Sequence, residues 1–250
     1  MTELDFKTLW QREERAAFSG WDFSHLDGRW ESEALPWDYE QIVRARVRET
    51  DRLLDLGTGG GEFLLSLGHP HALTAATEAY PPNVALCRER LAPLGVELGV
   101  PEGNKLPFDD ARFDLVIDRH EEYDPAEVFR VLKSGGWLIT QQVGGQNNRA
   151  LSQRLIDGFV PAFEHVNLAD CSRELEAAGF SIRQAQEAYP KLRFYDVGAL
   201  VYFAKIIEWE FPGFSVETAF DRLLGCQREI EERGFVESTE HRFVIVAIKP

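Results

Sequence analysis

The densest chemistry in this sequence lies in Leu53-Leu54-Asp55-Leu56-Gly57-Thr58-Gly59-Gly60-Gly61-Glu62-Phe63. An apolar run passes into glycines and then into a helical pattern. Arg52–Leu56 is therefore expected as a strand and Glu62–Leu67 as the start of a helix. Glycines at such a turn permit positive φ and let a ligand approach the backbone. Open α/β sheets bind ligands at the carboxyl ends of their strands. The dinucleotide fingerprint GxGxxG does not fit: counted from Gly57 it needs glycine or alanine where Glu62 stands, and counted from Gly59 it needs one where Leu64 stands. A glutamate at the helix start would also repel a pyrophosphate. A P-loop fails as well, because no Gly-Lys-Ser/Thr follows.

More acids follow at strand ends. Glu78 closes Leu73-Thr74-Ala75-Ala76-Thr77-Glu78, where a carboxylate can accept from both hydroxyls of a ribose. In Pro101-Glu102-Gly103-Asn104-Lys105-Leu106-Pro107-Phe108 an acid and a small residue precede Leu-Pro-Phe. Phe113-Asp114-Leu115-Val116-Ile117 is a further strand, and beyond it the chain reads Asp118-Arg119-His120-Glu121-Glu122-Tyr123. His120 is the first candidate for a general base there, since imidazole titrates near neutrality. A solvated loop in which His120 only packs is the alternative.

Asp55, Gly57, Gly59 and Gly61 fill the pattern Asp-x-Gly-x-Gly-x-Gly. This resembles the first motif of class I S-adenosylmethionine-dependent methyltransferases, in the small-molecule, ubiquinone-biosynthesis-like branch. The likeness runs from about Leu53 to Gln142, with a weaker match through the last strand. Arg130-Val131-Leu132-Lys133-Ser134-Gly135-Gly136-Trp137 resembles the family's turn into its fifth strand. The resemblance implies a doubly wound α/β fold, a Rossmann-like, mostly parallel seven-stranded sheet with its last strand antiparallel. It implies S-adenosylmethionine as cofactor. By the same resemblance Asp55, Gly57, Thr58, Gly59 and Gly61 would hold the amino-acid end, Asp55 directly or through water. Glu78 and Ala79 would meet the ribose, and Glu102 and Gly103 the adenine, with Glu102 standing where the family usually has Asp. Asp118 and Arg119 would line the methionine end, Arg119 through its backbone. His120 would be the catalytic residue facing the methyl group.

The elements that must position these residues follow from periodicity. Strands are expected at 72–77, 96–100, 137–141, 180–186 and 243–248, with helices at 83–94, 126–132, 168–178, 196–209 and 216–233. Strands alternating with helices mean βαβ units and a parallel sheet. Residues 1–48 are expected as an N-terminal segment and 49–250 as the cofactor-binding domain, with a helical insertion at about 188–235. Both additions are aromatic: Trp21, Phe23, Trp30, Trp37 and Tyr39 in the first, and Tyr189, Phe194, Tyr195, Tyr202, Phe203 and Trp209, with Arg193, in the second. They suit a lid over an apolar or aromatic acceptor; packing onto the sheet is the alternative. The stretch 196–207 is apolar all round and must be buried, in this chain or against another copy.

Composition narrows the partners. Among 250 residues, 27 Lys and Arg face 42 Asp and Glu, a net charge of −15. Nucleic-acid binding normally needs a basic track, so a small-molecule acceptor is expected and a nucleic-acid partner is not. Cys87, Cys171 and Cys226 are too scattered for a disulfide framework or a zinc site. His69 and His71 sit in a turn that reads as surface, and His25, His165 and His241 have no carboxylate at ligand spacing, so no metal is assigned. No apolar run approaches the ~20 residues that span a bilayer, and MTELDFKTLW lacks the apolar centre of a signal peptide. A cytoplasmic monomer or homodimer with no membrane partner is expected. An RNA or protein methyltransferase and a non-catalytic cofactor-binding module are the competing readings.

Overall fold

The computed structural model describes residues 2–18 and 23–250; Trp21 lies outside them. In chain order the elements are α1 (Glu3–Glu14), β1 (Trp30–Ser32), α2 (Tyr39–Arg44), β2 (Leu53–Leu56), α3 (Glu62–Ser66), β3 (Thr74–Thr77), α4 (Pro81–Arg90), β4 (Glu97–Gly99), β5 (Phe113–Arg119) and α5 (Pro125–Val131). They continue as β6 (Leu132–Val143), α6 (Arg149–Leu155), α7 (Leu168–Ala177), β7 (Ser181–Ala188), β8 (Lys191–Phe194), α8 (Val197–Ile206), α9 (Val216–Arg233), β9 (Val236–Thr239) and β10 (Arg242–Ile248). The chain divides into two compact units. One comprises Pro36–Val143, Val166–Glu187 and Phe243–Pro250, and the other Met1–Leu35, Gly144–His165 and Ala188–Arg242.

The first unit is built on a seven-stranded sheet in the order β4-β3-β2-β5-β6-β10-β7. β2 runs parallel to β3 and to β5, with Leu53 opposite Thr74 on one side and Leu115 on the other. β3 and β4 are also parallel, as are β5 and β6. β10 reverses: Gly135 N–H donates to Lys249 O at 2.7 Å and Lys249 N–H to Gly136 O at 2.9 Å, which sets the end of β10 beside the start of β6. The doubly wound, mostly parallel sheet with an antiparallel last strand is thus the fold of this unit. Side chains alternate in direction along a strand, so a sheet covered on both faces needs apolar residues at every position. Leu54, Val116, Leu138, Phe243, Ile245 and Ala247 pack in one core, while Leu53, Leu115, Ile117, Ile139, Val244 and Val246 pack in another.

The second unit holds a three-stranded antiparallel sheet, β1-β8-β9, that no sequence pattern announced. Trp30 pairs with Phe194, and Lys191 with Thr239. The expected division at residue 48 differs from the folded one: residues 1–35 contribute β1 here, while α2 belongs with the seven-stranded sheet. The region near 188–235 is a strand as well as helices. Every residue from Val197 to Ala204 of α8 is buried, and its cover comes from this chain, from Trp10, Phe194, Phe211 and Leu223 among others. Aromatics considered for a lid fill that core: the ring of Phe203 lies 5.2 Å from Phe194 and 5.7 Å from Trp30. Asp196 caps α8 by accepting from Ala199 N–H at 2.8 Å and receives Arg29 Nε and Nη2 at 2.9 and 2.7 Å. Asp196→Ala removes cap and ion pair together, and a loss of about 2 kcal/mol is expected in denaturant melts.

Candidate functional site

Because β2, β3, β4 and β5 are parallel, the residues after them gather at one edge of the sheet. After β2 the backbone turns through Gly57, Gly59 and Gly61 with φ of +60°, +60° and +81°, and Gly61 starts α3. Side chains avoid that region, which is why glycine recurs here. The turn is tied to β3: Thr58 N–H donates to Thr77 O at 2.9 Å and Gly57 N–H to Thr77 Oγ1 at 3.3 Å. Glu78, buried, accepts from Gly59 N–H at 2.9 Å through Oε2 and from Ala79 and Tyr80 N–H at 2.9 and 2.8 Å through Oε1. Glu78 therefore braces the glycine turn and its own turn at once.

Asp55 and Asp118 are buried at the ends of neighbouring strands, with Leu56 opposite Asp118. Burial pushes the Asp55 carboxyl up to about 7; the Thr58 side chain and the Arg119 charge oppose this, and Glu78 adds to it. Asp118 is held well above the ordinary carboxylate range by burial, although it accepts from Thr140 Oγ1 at 2.6 Å, from Glu121 N–H at 3.1 Å and from Gln142 Nε2. Tyr39 O–H donates to Asp118 O at 2.8 Å, and burial raises that phenol too. Glu121 lies over the glycine turn: a Cβ on Gly57 would fall 2.5 Å from its Oε2 and 2.6 Å from its Cβ and Cγ. Burial, then Glu78 and Glu122, raise its carboxyl. Burial first, and then neighbouring carboxyls, raise these acids, so the ionised forms are costly here.

Residues 54–140 match the family described as "Methyltransferase domain". Over that stretch the chain is similar to methyltransferases. A phthiotriol/phenolphthiotriol dimycocerosates methyltransferase of Mycobacterium leprae is 34% identical to this chain over 87 residues, which are 32% of each chain. A ubiquinone/menaquinone biosynthesis C-methyltransferase of Desulfotalea psychrophila is 30% identical over 112 residues, 41% of this chain and 46% of its own length. The chain thus spans less than half the length of the curated relatives it matches. A solved candidate methyltransferase of Bacillus halodurans shares the fold with a TM-score of 0.59 at 17% identity, covering 85% of this chain and 99% of its own.

Asp55, the glycine turn, Glu78 and Asp118 lie together at the ends of β2, β3 and β5. Glu102 and Gly103 stand in a tight turn after β4, two strands from β2, with Glu102 exposed and its backbone paired to Lys105. Arg119 is exposed, its guanidinium 4.9 Å over the Phe63 ring. His120 is exposed at φ +72°. Ala79 is exposed too, and it takes part through its backbone N–H. Sequence reasoning named Tyr39 only among the aromatics of a lid, and it did not single out Thr140, Gln142 or Glu121. Thr140 lies opposite Asp118 on β6, a register that pattern alone cannot supply. Among the described residues Thr58 Oγ1 is buried without a hydrogen bond of good geometry. That atom, the glycine turn and the buried acids fit a ligand with an ammonium and no phosphate.

Proposed function

We propose that this domain binds S-adenosylmethionine at the ends of β2, β3 and β5 and methylates a small-molecule acceptor by in-line displacement. The observation that carries the reading is Asp55, a buried carboxyl beside a glycine turn held up to about 7 by burial. A cationic ligand converts that cost into attraction. The cofactor, when bound, supplies an electrophilic methyl on a sulfonium. Asp55 and Thr58 would hold its amino-acid end, Glu78 its ribose, and Glu102 and Gly103 its adenine. Asp118, fixed by Thr140 and Gln142, would keep the end of β5 in place beside the reacting atoms. The role of the chain's own residues is positioning, which supplies most of the acceleration in such a displacement. A net charge of −15 supports a small acceptor over a polyanion.

Titration calorimetry of the whole chain with S-adenosylmethionine, S-adenosylhomocysteine and NAD tests this. Both adenosyl sulfur compounds are expected to bind and NAD is not. Binding of NAD with neither of the other two would overturn the reading.

A further inference from the structure

Trp37 and Gln141 settle a question about His120 that neither sequence nor fold family poses. Trp37 Nε1 donates to Gln141 Oε1 at 2.8 Å, and Gln141 Nε2 lies 3.2 Å from His120 Nε2. An indole N–H can only donate, so the face that the Gln141 amide turns to Trp37 must be its oxygen. Its NH2 then faces His120. An amide NH2 cannot accept, so His120 Nε2 must be the acceptor, and it carries no proton.

The backbone holds this arrangement together. His120 N–H donates to Gln141 O at 2.8 Å, and Arg119 pairs with Gln141 in the register of β5 and β6. Gln141 is buried and Trp37 half-buried, so the amide is not free to exchange its partners for water. His120 itself is held in the left-handed region at φ +72°, an uncommon conformation for a residue with a side chain. Both ends of the relay are therefore anchored: the indole by its place against the sheet, the imidazole by its own main chain.

We propose that Trp37 and Gln141 are positioning residues that lock His120 as the neutral ring with its proton on Nδ1. The inference rests on the proposed function only in taking His120, by the family resemblance, to face the methyl group. A ring in this state has its Nε2 lone pair committed to Gln141 and a proton already on Nδ1. It cannot take a proton from an acceptor; it can only donate a hydrogen bond. His120 is then an orienter and not a general base.

Nitrogen NMR of the full chain, labelled in its histidine rings, reads the tautomer directly and needs neither cofactor nor acceptor. His120→Asn identifies the resonances by their disappearance. At mildly alkaline pH the wild-type ring is expected to show a protonated Nδ1 and a bare Nε2. Trp37→Phe releases the amide rotor, and Gln141→Glu replaces the donor by an acceptor; each is expected to move the proton to Nε2. A wild-type ring protonated at Nε2, or one averaging between tautomers, overturns the proposal without any variant having to fold. Variants that leave the proton on Nδ1 overturn the role given to Trp37 and Gln141. None of these results depends on whether S-adenosylmethionine binds, so failure here is distinct from failure of the proposed function.

Discussion

Asp55→Asn is expected to weaken S-adenosylmethionine binding about 100-fold or more and, at the same time, to stabilise the ligand-free protein above neutral pH. Both effects come from one carboxyl, moved by burial from an ordinary 3.8 to about 7. A raised acid is protonated in the folded chain while the unfolded chain has already released its proton. Its favourable share of stability is complete below pH of about 4, is lost as pH rises towards 7 and is gone above it. The displacement corresponds to about 4 kcal/mol. Burial raises Asp118 and Glu121 in the same direction, so the wild-type melting temperature should fall between pH 5 and pH 8. Asparagine carries no charge to bury, and its NH2 can donate to the Thr58 Oγ1 beside it. The variant should therefore melt higher than wild type at pH 8 and lose part of the pH slope. Ligand binding runs the other way, because an ammonium selects the ionised carboxyl. Wild-type affinity should rise as pH passes 7, and the variant's should not. Thermal melts and calorimetry at pH 6 and pH 8 read all of this, and a variant that melts lower than wild type at pH 8 would remove Asp55 as the strained group.

The glycine turn could be found in the sequence because local rules dictate it. An apolar strand, residues that tolerate positive φ, and a helix start lie within a dozen positions, and no distant contact is needed to recognise them. Most strands of the large sheet were legible from their own composition, since runs such as Phe243–Ala247 are apolar on both faces. The small sheet was not. Trp30–Ser32 is three residues long, and its partner Leu192–Phe194 lies beyond nearly all of the seven-stranded sheet in sequence. Neither strand has enough residues to display a period. The burial of α8 was readable from its composition, whereas its cover, drawn from Trp10 at one end of the chain and Leu223 near the other, was not. Glu121 illustrates the same limit at the site. In Asp118-Arg119-His120-Glu121-Glu122 nothing local says which acid turns inward, and the structure buries Glu121 more than Glu122 because its main chain is held by Asp118 and Gln142.

That packing makes Gly57 the second position of large effect. Two separate physical demands fall on it, and a pair of variants divides them. A side chain at φ +60° costs about 1–2 kcal/mol from backbone crowding alone. Its Cβ would also stand within 2.6 Å of Glu121 Cβ and Cγ. Glu121 cannot step back easily, because its N–H donates to Asp118 Oδ1 at 3.1 Å and its carbonyl accepts from Gln142 Nε2 at 2.9 Å. The glycine turn must move instead, and a shift of that kind at a binding loop is worth about 100-fold in affinity. Gly57→Ala is therefore expected to cost about 3 kcal/mol in stability and to lose most S-adenosylmethionine binding. Gly68 provides the control: its φ is +66°, and nothing lies within 4 Å of the Cβ it would gain. Gly68→Ala should pay the backbone cost alone and leave affinity unchanged. Adding Glu121→Gly to Gly57→Ala removes the obstructing Cβ and Cγ but not the backbone strain. The double variant should then recover stability to the level of Gly68→Ala and no further. Equal losses for Gly57→Ala and Gly68→Ala would mean that conformation alone, and not the acid packed against it, requires a glycine at position 57.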